Sequence, residues 1–533
     1  MDLQFGGASL CPCTRPGQSR LRARDIYVTP RTRRFPSGAV PAHPRAVSPP
    51  SALRALARQS SVYALTMLVS RAMSFVMVPV YTHRLGAADY GLAELLDTVD
   101  QVALVLFASA ISDPFIRHLH DAPDTRGRDR VTATAIAFLA VVGSLVALAG
   151  ALASPVLAAP LLRDAGRAPL LQLTFAAVAF QAMLEIPLTR FRADDRPLHF
   201  AAWTLARTGL GLALNLAFIA ALDLGVRGLV LSTLIASGVT ATALCALTLR
   251  RTGLAFDLAI LRRMLAFGWP LVPGALSIIA LHHSRSYVLN HYGTLADVGR
   301  WALGFKFGSL LAQVIGSPLR NAWTAQMFVI WAAPDGHARF ARALTVFVGL
   351  FSWAALALTV AAPDVVSALA PPSFARAALV IPAVAFAFAL REVAEFFRNG
   401  LVLGGDTRPV AWIEPILALV DLALGVALVS RFGLTGAIVA TPLVFGLYAL
   451  ALHQAVRRVL PVAYEYRRLA VLAALAVGLS IVGYRGLDAP RWVNLALRAG
   501  IIVAYPALAA LLVFRAPDER AAMDALRRRL RWW

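Results

Sequence analysis

The chain has 533 residues, of which 59% are hydrophobic and 15% are charged, and its mean hydropathy is +0.67. Soluble domains contain about 45–50% apolar and about 25% charged residues, so this composition excludes an ordinary soluble protein. A formal net charge of +22 suggests nucleic acid at first. The arginines, however, concentrate in alternate loops between long apolar runs. The charge therefore indicates membrane topology, and no nucleic-acid partner is expected.

Residues 1–54 are rich in Arg and Pro and have no apolar periodicity. They lack the apolar region and the cleavage site of a secretory signal. This composition predicts a disordered N-terminal extension, unless translation starts further downstream. The three cysteines provide no disulfide framework.

Fourteen apolar runs follow, each close to the roughly 20 residues that a membrane helix needs. They cover residues 60–83, 92–116, 131–156, 168–188, 198–222, 226–249, 266–290, 299–328, 340–362, 377–402, 410–430, 434–456, 469–485 and 492–514. The sequence therefore predicts an all-α polytopic membrane protein with about 14 transmembrane helices. Residues 516–533 are expected to form a basic cytoplasmic tail.

The arginines alternate between loops. The loop after span 2 holds Arg126, Arg128 and Arg130, whereas the loop after span 1 holds only Arg84. The loops after spans 4, 6 and 12 are also rich in arginine, and those after spans 5, 7, 9 and 11 hold one each. Loops rich in basic residues stay in the cytoplasm, which predicts that both termini are cytoplasmic.

Two short sequences recur at one fixed distance. THRLGAADYG (82–91) shares four residues with NHYGTLADVG (290–299), and LGVRG (224–228) recurs as FGLTG (432–436), both at a separation of 208. Such Gly-containing sequences are common turn signals, but the shared offset disfavours coincidence. An offset of six spans preserves orientation in the membrane and therefore predicts a parallel repeat.

The repeat divides the chain into an N-lobe at 55–250 (spans 1–6) and a C-lobe at 251–460 (spans 7–12). The last two spans occupy 461–515. Two-lobed membrane proteins of this kind hold a cavity between the lobes and expose it to each side in turn. This organisation favours a transporter over a receptor or a membrane enzyme.

Four stretches carry a family resemblance: PVYTHRLGAADYGLAEL (79–95), FGWPLVPGALSIIALHHSRSYVLNHY (267–292), DVGRWALGFKFGSLL (297–311) and RFGLTGAIVATPL (431–443). They resemble the polysaccharide transporter family, the lipid-linked oligosaccharide flippases of the multidrug/oligosaccharidyl-lipid/polysaccharide exporter superfamily. The third stretch looks like the family's GxYxLAYK pattern, with Trp301 and Lys306 at the aromatic and lysine positions. Where the family often has an Asp-Arg pair, this chain has Ser284 and Arg285.

The resemblance implies a fold like that of the MATE transporters. It also implies that the protein flips undecaprenyl-pyrophosphate-linked oligosaccharide or polysaccharide repeat units across the bacterial inner membrane by alternating access. Such lipids supply lipopolysaccharide, O-antigen or exopolysaccharide synthesis. The expected partners are an H⁺ or Na⁺ gradient and the glycan assembly machinery. No catalytic residue, metal or cofactor is expected.

Charged residues inside the spans are the candidate site, because each costs at least about 2.5–3.5 kcal/mol to insert. Arg285, Lys306 and Arg71 are the predicted pyrophosphate-binding residues. A guanidinium binds phosphate oxygens through two hydrogen bonds, and an ammonium acts as a point charge. Alternatively, Lys306 extends to the membrane surface and Arg285 pairs with a carboxylate elsewhere.

The remaining charges inside the spans form either an ion-coupling site or a packing network. They include Asp97, Asp100, Arg391, Glu395 and Asp421. Asp97 can take up a proton during transport, or it can hold Arg71 in place. Arg391, Glu395 and Arg398 share one helix face and can neutralise one another.

Two other functions compete with a flippase. A drug or cation antiporter of the same superfamily would favour an acidic, aromatic cavity without Arg285 and Lys306. A glycan polymerase or ligase would carry a large outer loop, but every predicted outer loop is short. The only lysine is followed by Phe307, so no phosphate-binding Walker loop exists in this chain and an ATP-driven pump is excluded as far as this chain goes.

The predicted orientation can be tested by cysteine labelling in a background that lacks the native cysteines. Asp297→Cys is expected to react with an impermeant reagent in intact cells, and Arg128→Cys only after permeabilisation, because arginine-rich loops stay inside. The opposite pattern would reverse the topology.

Overall fold

The computed structural model describes residues 49–514, with the backbone only at residues 49–61, 64, 107 and 278. The predicted basic tail and residues 1–48 of the predicted extension lie outside this part. Seventeen α-helices are described: α1 Pro49–Val76, α2 Val78–Arg84, α3 Ala87–Asp121, α4 Thr125–Leu162, α5 Ala168–Ala193, α6 Pro197–Asn215, α7 Gly225–Thr252, α8 Leu258–Gly268, α9 Val272–Tyr292, α10 Leu295–Gly308, α11 Ser317–Trp331, α12 Gly336–Leu369, α13 Ala377–Leu403, α14 Arg408–Phe432, α15 Leu434–Val459, α16 Tyr466–Arg485 and α17 Arg491–Leu512. Two π-helical segments, Leu216–Ala221 and Leu311–Gly316, follow α6 and α10.

The all-α polytopic prediction is confirmed. Eleven described helices are long and apolar enough to cross a membrane, and up to thirteen spans result if two bent pairs each count as one. One pair is α3, which bends by 41°, and the other is α8 with α9, which bends by 44°. The predicted span 299–328 is neither one of the eleven helices nor one of the two bent pairs. It coincides with α10, a π-helical segment and α11, which hold Lys306 and Arg320.

Helices dominate because a bilayer offers no hydrogen bonds to the backbone, so each span must satisfy its own peptide groups. Side-chain caps mark where several of them begin. Asp124 accepts a hydrogen bond from the Gly127 backbone N–H before α4, and Asp257 caps α8 in the same way. Thr294 caps α10 by accepting from the N–H of Asp297. These caps lie in loops that link consecutive helices, where the free N–H groups of a helix start need partners.

In the C-lobe, α13 packs against α12 and α15, and α16 and α17 pack on α12. Four aromatic side chains fill its centre, with ring centroids 4.9 Å apart for Trp323 and Phe396 and 4.8 Å apart for Phe340 and Phe396. Phe347 contacts both Trp323 and Phe396. In the N-lobe, α5 packs against α3, α4 and α7.

The recurring sequences meet each other where α3 packs on α10. A Cβ at Gly91 would lie 2.0 Å from the carbonyl oxygen of Leu295, and a Cβ at Gly299 would lie 1.9 Å from that of Ala87. Leu295 and Gly299 are the positions equivalent to Ala87 and Gly91 in the second recurring sequence, 208 residues later. The contact is therefore pseudo-symmetric, and only glycine allows the two backbones to approach so closely.

Further bonds join the lobes at the same end of the helices. Arg163, at the end of α4, donates to the carbonyl oxygens of Gly293 and His291 at 2.8 and 2.9 Å. The Asn290 amide donates to the carbonyl oxygen of Leu161 at 2.8 Å. These three bonds use backbone acceptors that the helix ends leave free. The lobes are thus in direct contact at the end that the arginine pattern assigns to the outside.

Gly91→Ala and Gly299→Ala are each expected to lower the melting temperature of the purified protein by several degrees. The added methyl group must push two helix backbones apart, and overpacking of this kind costs about 1–3 kcal/mol. Gly86→Ala is the matched control, because a Cβ there has no atom within 4 Å and the residue lies at negative φ. Equal melting temperatures for Gly91→Ala and Gly86→Ala would contradict the close contact.

Candidate functional site

A cavity of about 180 Å³ lies between α1, α9, α13 and the segment from α10 to α11. Three arginines on three different parts of the chain line it: Arg71, Arg320 and Arg391. The other lining residues are His282, Phe305, Ser309, Ala312, Gln313, Ser317 and Phe388. The cavity therefore combines cationic and hydrogen-bonding groups with two aromatic rings, and no carboxylate lines it.

Within residues 49–514, only one of the three arginines forms an ion pair with a carboxylate. Arg320 forms an ion pair with Glu392, which is fully buried on α13. Gly316 makes room for this pair, since a Cβ there would lie 2.7 Å from the Glu392 carboxyl carbon. A buried carboxylate needs such a partner because desolvation of an unpaired charge is costly. Arg320 is therefore largely neutralised.

Arg71 and Arg391 have no ion pair within residues 49–514. Arg71 donates to the backbone oxygen of Gln313 at 3.3 Å. The Arg391 Nη1 lies 3.5 Å from His282 Nε2, and its guanidinium carbon lies 5.6 Å from the Phe388 ring centroid. Neither group forms an ion pair in this part of the chain, although the charge of Arg391 interacts with that of Glu392. Two such guanidinium groups that face one cavity suit an anionic ligand.

Arg285, the first predicted pyrophosphate-binding residue, does not line this cavity. It is buried between α9 and α14, where it donates to the Asp421 carboxylate at 2.6 Å and to the Asp421 backbone oxygen at 2.8 Å. Ser284 donates to the other carboxylate oxygen of Asp421. Gly425 provides the space, since a Cβ there would lie 2.0 Å from Arg285 Nη1. Arg285 is thus engaged as a structural partner.

Lys306, the second predicted binding residue, faces a group of acidic residues. Its ammonium lies 5.7 Å from the Phe75 ring centroid and close enough to Asp97 and Glu94 to interact with both charges. Of the three predicted residues, only Arg71 therefore lines the cavity.

The acidic residues of α3 meet α9 across the lobe boundary. Ser286 donates to Glu94 Oε1 at 3.2 Å, and His283 Nδ1 lies 3.8 Å from the same oxygen. His283 also contacts the Thr98 hydroxyl at 3.2 Å. We define Glu94, Asp97, His283 and Lys306 as the interlobe cluster. It places two acids, an imidazole and an ammonium together at the lobe boundary, where Asp97 is exposed and the other three side chains are half-buried.

Asp100 belongs to a separate chain of contacts inside the N-lobe. It accepts a hydrogen bond from the Gln181 amide at 2.6 Å, and Arg207 donates to the Gln181 oxygen at 3.1 Å. These bonds run from α3 through α5 to α6. Asp100 and Asp97 therefore have different partners although they lie one turn apart.

Of the three charged residues on α13 that share one helix face, only Arg398 and Glu395 pair with each other. Arg398 lies 3.4 Å from Glu395 and 3.6 Å from Glu414 of α14, and Tyr448 donates to Glu414 at 3.1 Å. Arg391 takes no part in these pairs. Helix spacing alone predicts that Arg391 and Glu395 can meet. In the structure, Glu395 pairs with Arg398, and Arg391 faces the cavity.

The sequence analysis places Arg391 in a charge network, and no local pattern predicts that Arg320 lines the same cavity. The available signal was weak. Arg320 and Glu392 are separated by 72 residues, and no local pattern shows that they pair. Their meeting depends on the packing of α11 against α13.

The helical fold and the charged interior define a membrane transporter of the two-lobed type. The structure is similar to "Lipid II flippase MurJ, inward closed conformation", with a TM-score of 0.70 and 11% identity over 85% of this chain and 99% of that chain. It is also similar to an inward-facing multidrug resistance MATE transporter of the MOP superfamily, with a TM-score of 0.63 and 14% identity over 77% of this chain and 99% of that chain. A mutant of the Vibrio cholerae MATE transporter VcmN gives a TM-score of 0.52 at 16% identity, over 77% and 98% of the two chains.

The family profile described as "Polysaccharide biosynthesis protein" matches residues 80–371, which is more than half of the chain. The chain therefore belongs to the polysaccharide biosynthesis protein family, and its fold is that of MOP-superfamily transporters. No curated protein matches it significantly in sequence.

If the Arg285–Asp421 pair is structural, removing one partner should be worse than removing both. Asp421→Ala is expected to destabilise the protein by about 3–5 kcal/mol, because it leaves a buried guanidinium unpaired. The combination Arg285→Met with Asp421→Leu should recover most of the melting temperature. A combination as unstable as Asp421→Ala alone would contradict the pair's structural role.

Proposed function

We propose that the protein moves lipid-linked glycans across the bacterial inner membrane by alternating access, and that the lipid's pyrophosphate binds at Arg71 and Arg391. The observation that carries the proposal is the cavity that these two arginines line without an ion pair to any carboxylate of the described residues. Membership in the polysaccharide biosynthesis protein family and the fold shared with a lipid II flippase support the same substrate class.

The chemistry of the cavity fits a polyprenyl diphosphate better than a cation. A diphosphate brings at least two negative charges, and each charge-assisted hydrogen bond contributes about 1.5–3 kcal/mol. Arg320, which Glu392 largely neutralises, lies beside these two guanidinium groups. The likeness to MATE transporters keeps a drug or cation antiporter as the alternative, but the charges of Arg71 and Arg391 would repel such a substrate.

A polymerase or ligase finds less support. On the side assigned to the outside, the segments that link the described helices are at most seven residues long, as at 370–376.

The proposed orientation, with both termini in the cytoplasm, rests on the arginine pattern. It places the Gly91–Gly299 contact at the outer face of the inner membrane, so release of the glycan to the outside requires that contact to open.

We infer that the interlobe cluster couples transport to a proton gradient. Glu94 and Asp97 lie on α3 of the N-lobe, while His283 and Lys306 come from α9 and α10 of the C-lobe. A proton taken up by one of the acids changes the charge balance across the boundary that must open. Two further titratable groups of α3 face the cluster: Tyr90 interacts with Glu94 and Asp97, and Asp100 interacts with Asp97.

Binding of a short-chain prenyl diphosphate to the purified protein tests the site. Arg391→Gln and Arg71→Gln are each expected to weaken binding roughly tenfold or more, because each loses a charge-assisted contact. Arg391→Lys should retain part of the affinity, since the charge stays but the two-pronged geometry is lost. Wild-type affinity should fall from prenyl diphosphate to prenyl monophosphate to prenol.

Arg431→Gln is the matched control, because Arg431 is exposed at the end of α14 and loses the same charge. Weakening by Arg431→Gln as strong as that by Arg391→Gln would mean that overall charge governs binding, and would contradict the site. Binding of a lipophilic cation dye without binding of prenyl diphosphate would favour the antiporter.

Proton coupling is tested in proteoliposomes with an imposed pH gradient. Asp97→Asn is expected to abolish the acceleration of transport by the gradient while leaving prenyl diphosphate binding unchanged, because the residue lies outside the arginine cavity. Asp89→Asn, at an exposed position of the same helix, should behave as wild type. A normal pH response of Asp97→Asn, or acceleration by a Na⁺ gradient alone, would refute this coupling site.

A further inference from the structure

A second cavity, of about 240 Å³, lies at the opposite end of the N-lobe from the Gly91–Gly299 contact. The end of α5, the start of α6 and the end of α7 surround it. These helix ends carry the arginine-rich loops after spans 4 and 6. No part of the proposed transport site uses this cavity.

Two arginines of the cavity wall have no carboxylate partner in the described part of the chain. Arg196 precedes the first residue of α6, and Arg251 lies in the last turn of α7. Both are exposed, and both line the cavity together with His199. Two unpaired guanidinium groups beside an imidazole favour an oxyanion.

The acids that share this cavity are already neutralised. Asp194 accepts from Arg128 at 2.7 Å through one oxygen and from Arg190 at 2.6 Å through the other. Asp129 accepts from Arg190 at 3.3 Å. Because both oxygens of Asp194 are occupied, neither Arg196 nor Arg251 is held by it. The positive charge at the cavity mouth is therefore available to a ligand.

The opposite wall is apolar. Pro187, Leu244 and Leu247 line it, with the ring of Trp203. Leu247 is 44% exposed. In α6 and its π-helical extension, only 6% of the most apolar 18-residue stretch is buried inside the protein. The cavity thus opens sideways toward the surface that faces lipid. A tryptophan beside arginines is typical of the membrane interface.

The size of the cavity limits what it can hold. Sites that enclose a whole small-molecule ligand measure about 300–1,000 Å³. The smaller volume suits a phosphate diester with part of its glycerol, whose acyl chains remain outside along α6 and α7. Basic pockets between membrane helices on the cytoplasmic side bind anionic headgroups in this way.

We propose that this cavity is a binding site for the headgroup of an anionic membrane phospholipid, held at its phosphate by Arg196 and Arg251. The assignment to the cytoplasmic leaflet rests on the orientation in the proposed function, whereas binding itself does not. Occupancy would tie the ends of α5, α6 and α7 together and so stabilise the N-lobe.

Thermal stability in a neutral detergent provides the test, with phosphatidylglycerol, phosphatidylcholine and glycerol phosphate as probes. Phosphatidylglycerol should raise the melting temperature of wild type at lower concentration than phosphatidylcholine, and glycerol phosphate should have no effect. Arg196→Gln combined with Arg251→Gln should require roughly tenfold more phosphatidylglycerol for the same shift. The effect is measured without transport, so it stands or falls apart from the flippase proposal.

The combination Arg250→Gln with Arg262→Gln is the control, because both residues are exposed nearby, neither lines the cavity, and the charge change is identical. An equal loss in this control would show nonspecific attraction and overturn the site. An unchanged phosphatidylglycerol response in the Arg196/Arg251 variant would also overturn it. A shift by glycerol phosphate equal to that by phosphatidylglycerol would mean that the cavity binds a soluble phosphate and not a lipid.

Discussion

A charge inside this membrane protein is expensive unless it finds a partner, because its surroundings are apolar. Arg285 meets this constraint with Asp421, Arg320 with Glu392, and Arg498 with Asp364. Each of these pairs joins helices that are distant in sequence, so they also fix how the spans pack. Arg71 and Arg391 differ from these residues, because they face a cavity and form no ion pair within residues 49–514. These two arginines without an ion pair therefore mark the candidate site.

The second organising feature is the backbone contact between the two recurring sequences. Gly91 and Gly299 let α3 and α10 touch without intervening side chains, and Arg163 and Asn290 add hydrogen bonds between the lobes nearby. The interlobe cluster lies along the same two helices and the neighbouring α9. Opening the lobes at this end would therefore separate Glu94 and Asp97 from His283 and Lys306. This shared location connects the proposed proton uptake to the movement that releases the substrate.

The helical membrane fold, the family and the repeat could be inferred from the sequence, because hydropathy and short sequence patterns carry that information. The sequence did not predict which charges pair. The i, i+4 spacing suggested that Arg391 and Glu395 can neutralise each other, but Glu395 pairs with Arg398, which also lies 3.6 Å from Glu414 of α14. Similarly, Ser284 and Arg285 sit beside Asp421 only because α9 packs on α14. Local patterns show which side chains share a helix face, whereas tertiary packing decides what that face meets.

Translocation by purified wild-type protein in liposomes is the most direct test of the central claim. A prenyl diphosphate that carries a short glycan and a fluorophore would be placed in both leaflets and exposed to an impermeant reductant. We predict that wild-type protein makes the inner-leaflet probe accessible, and that the Arg71→Gln/Arg391→Gln variant leaves it as protected as in protein-free vesicles. Equal protection with wild-type protein and without protein, or equal translocation by the double variant, would contradict the account.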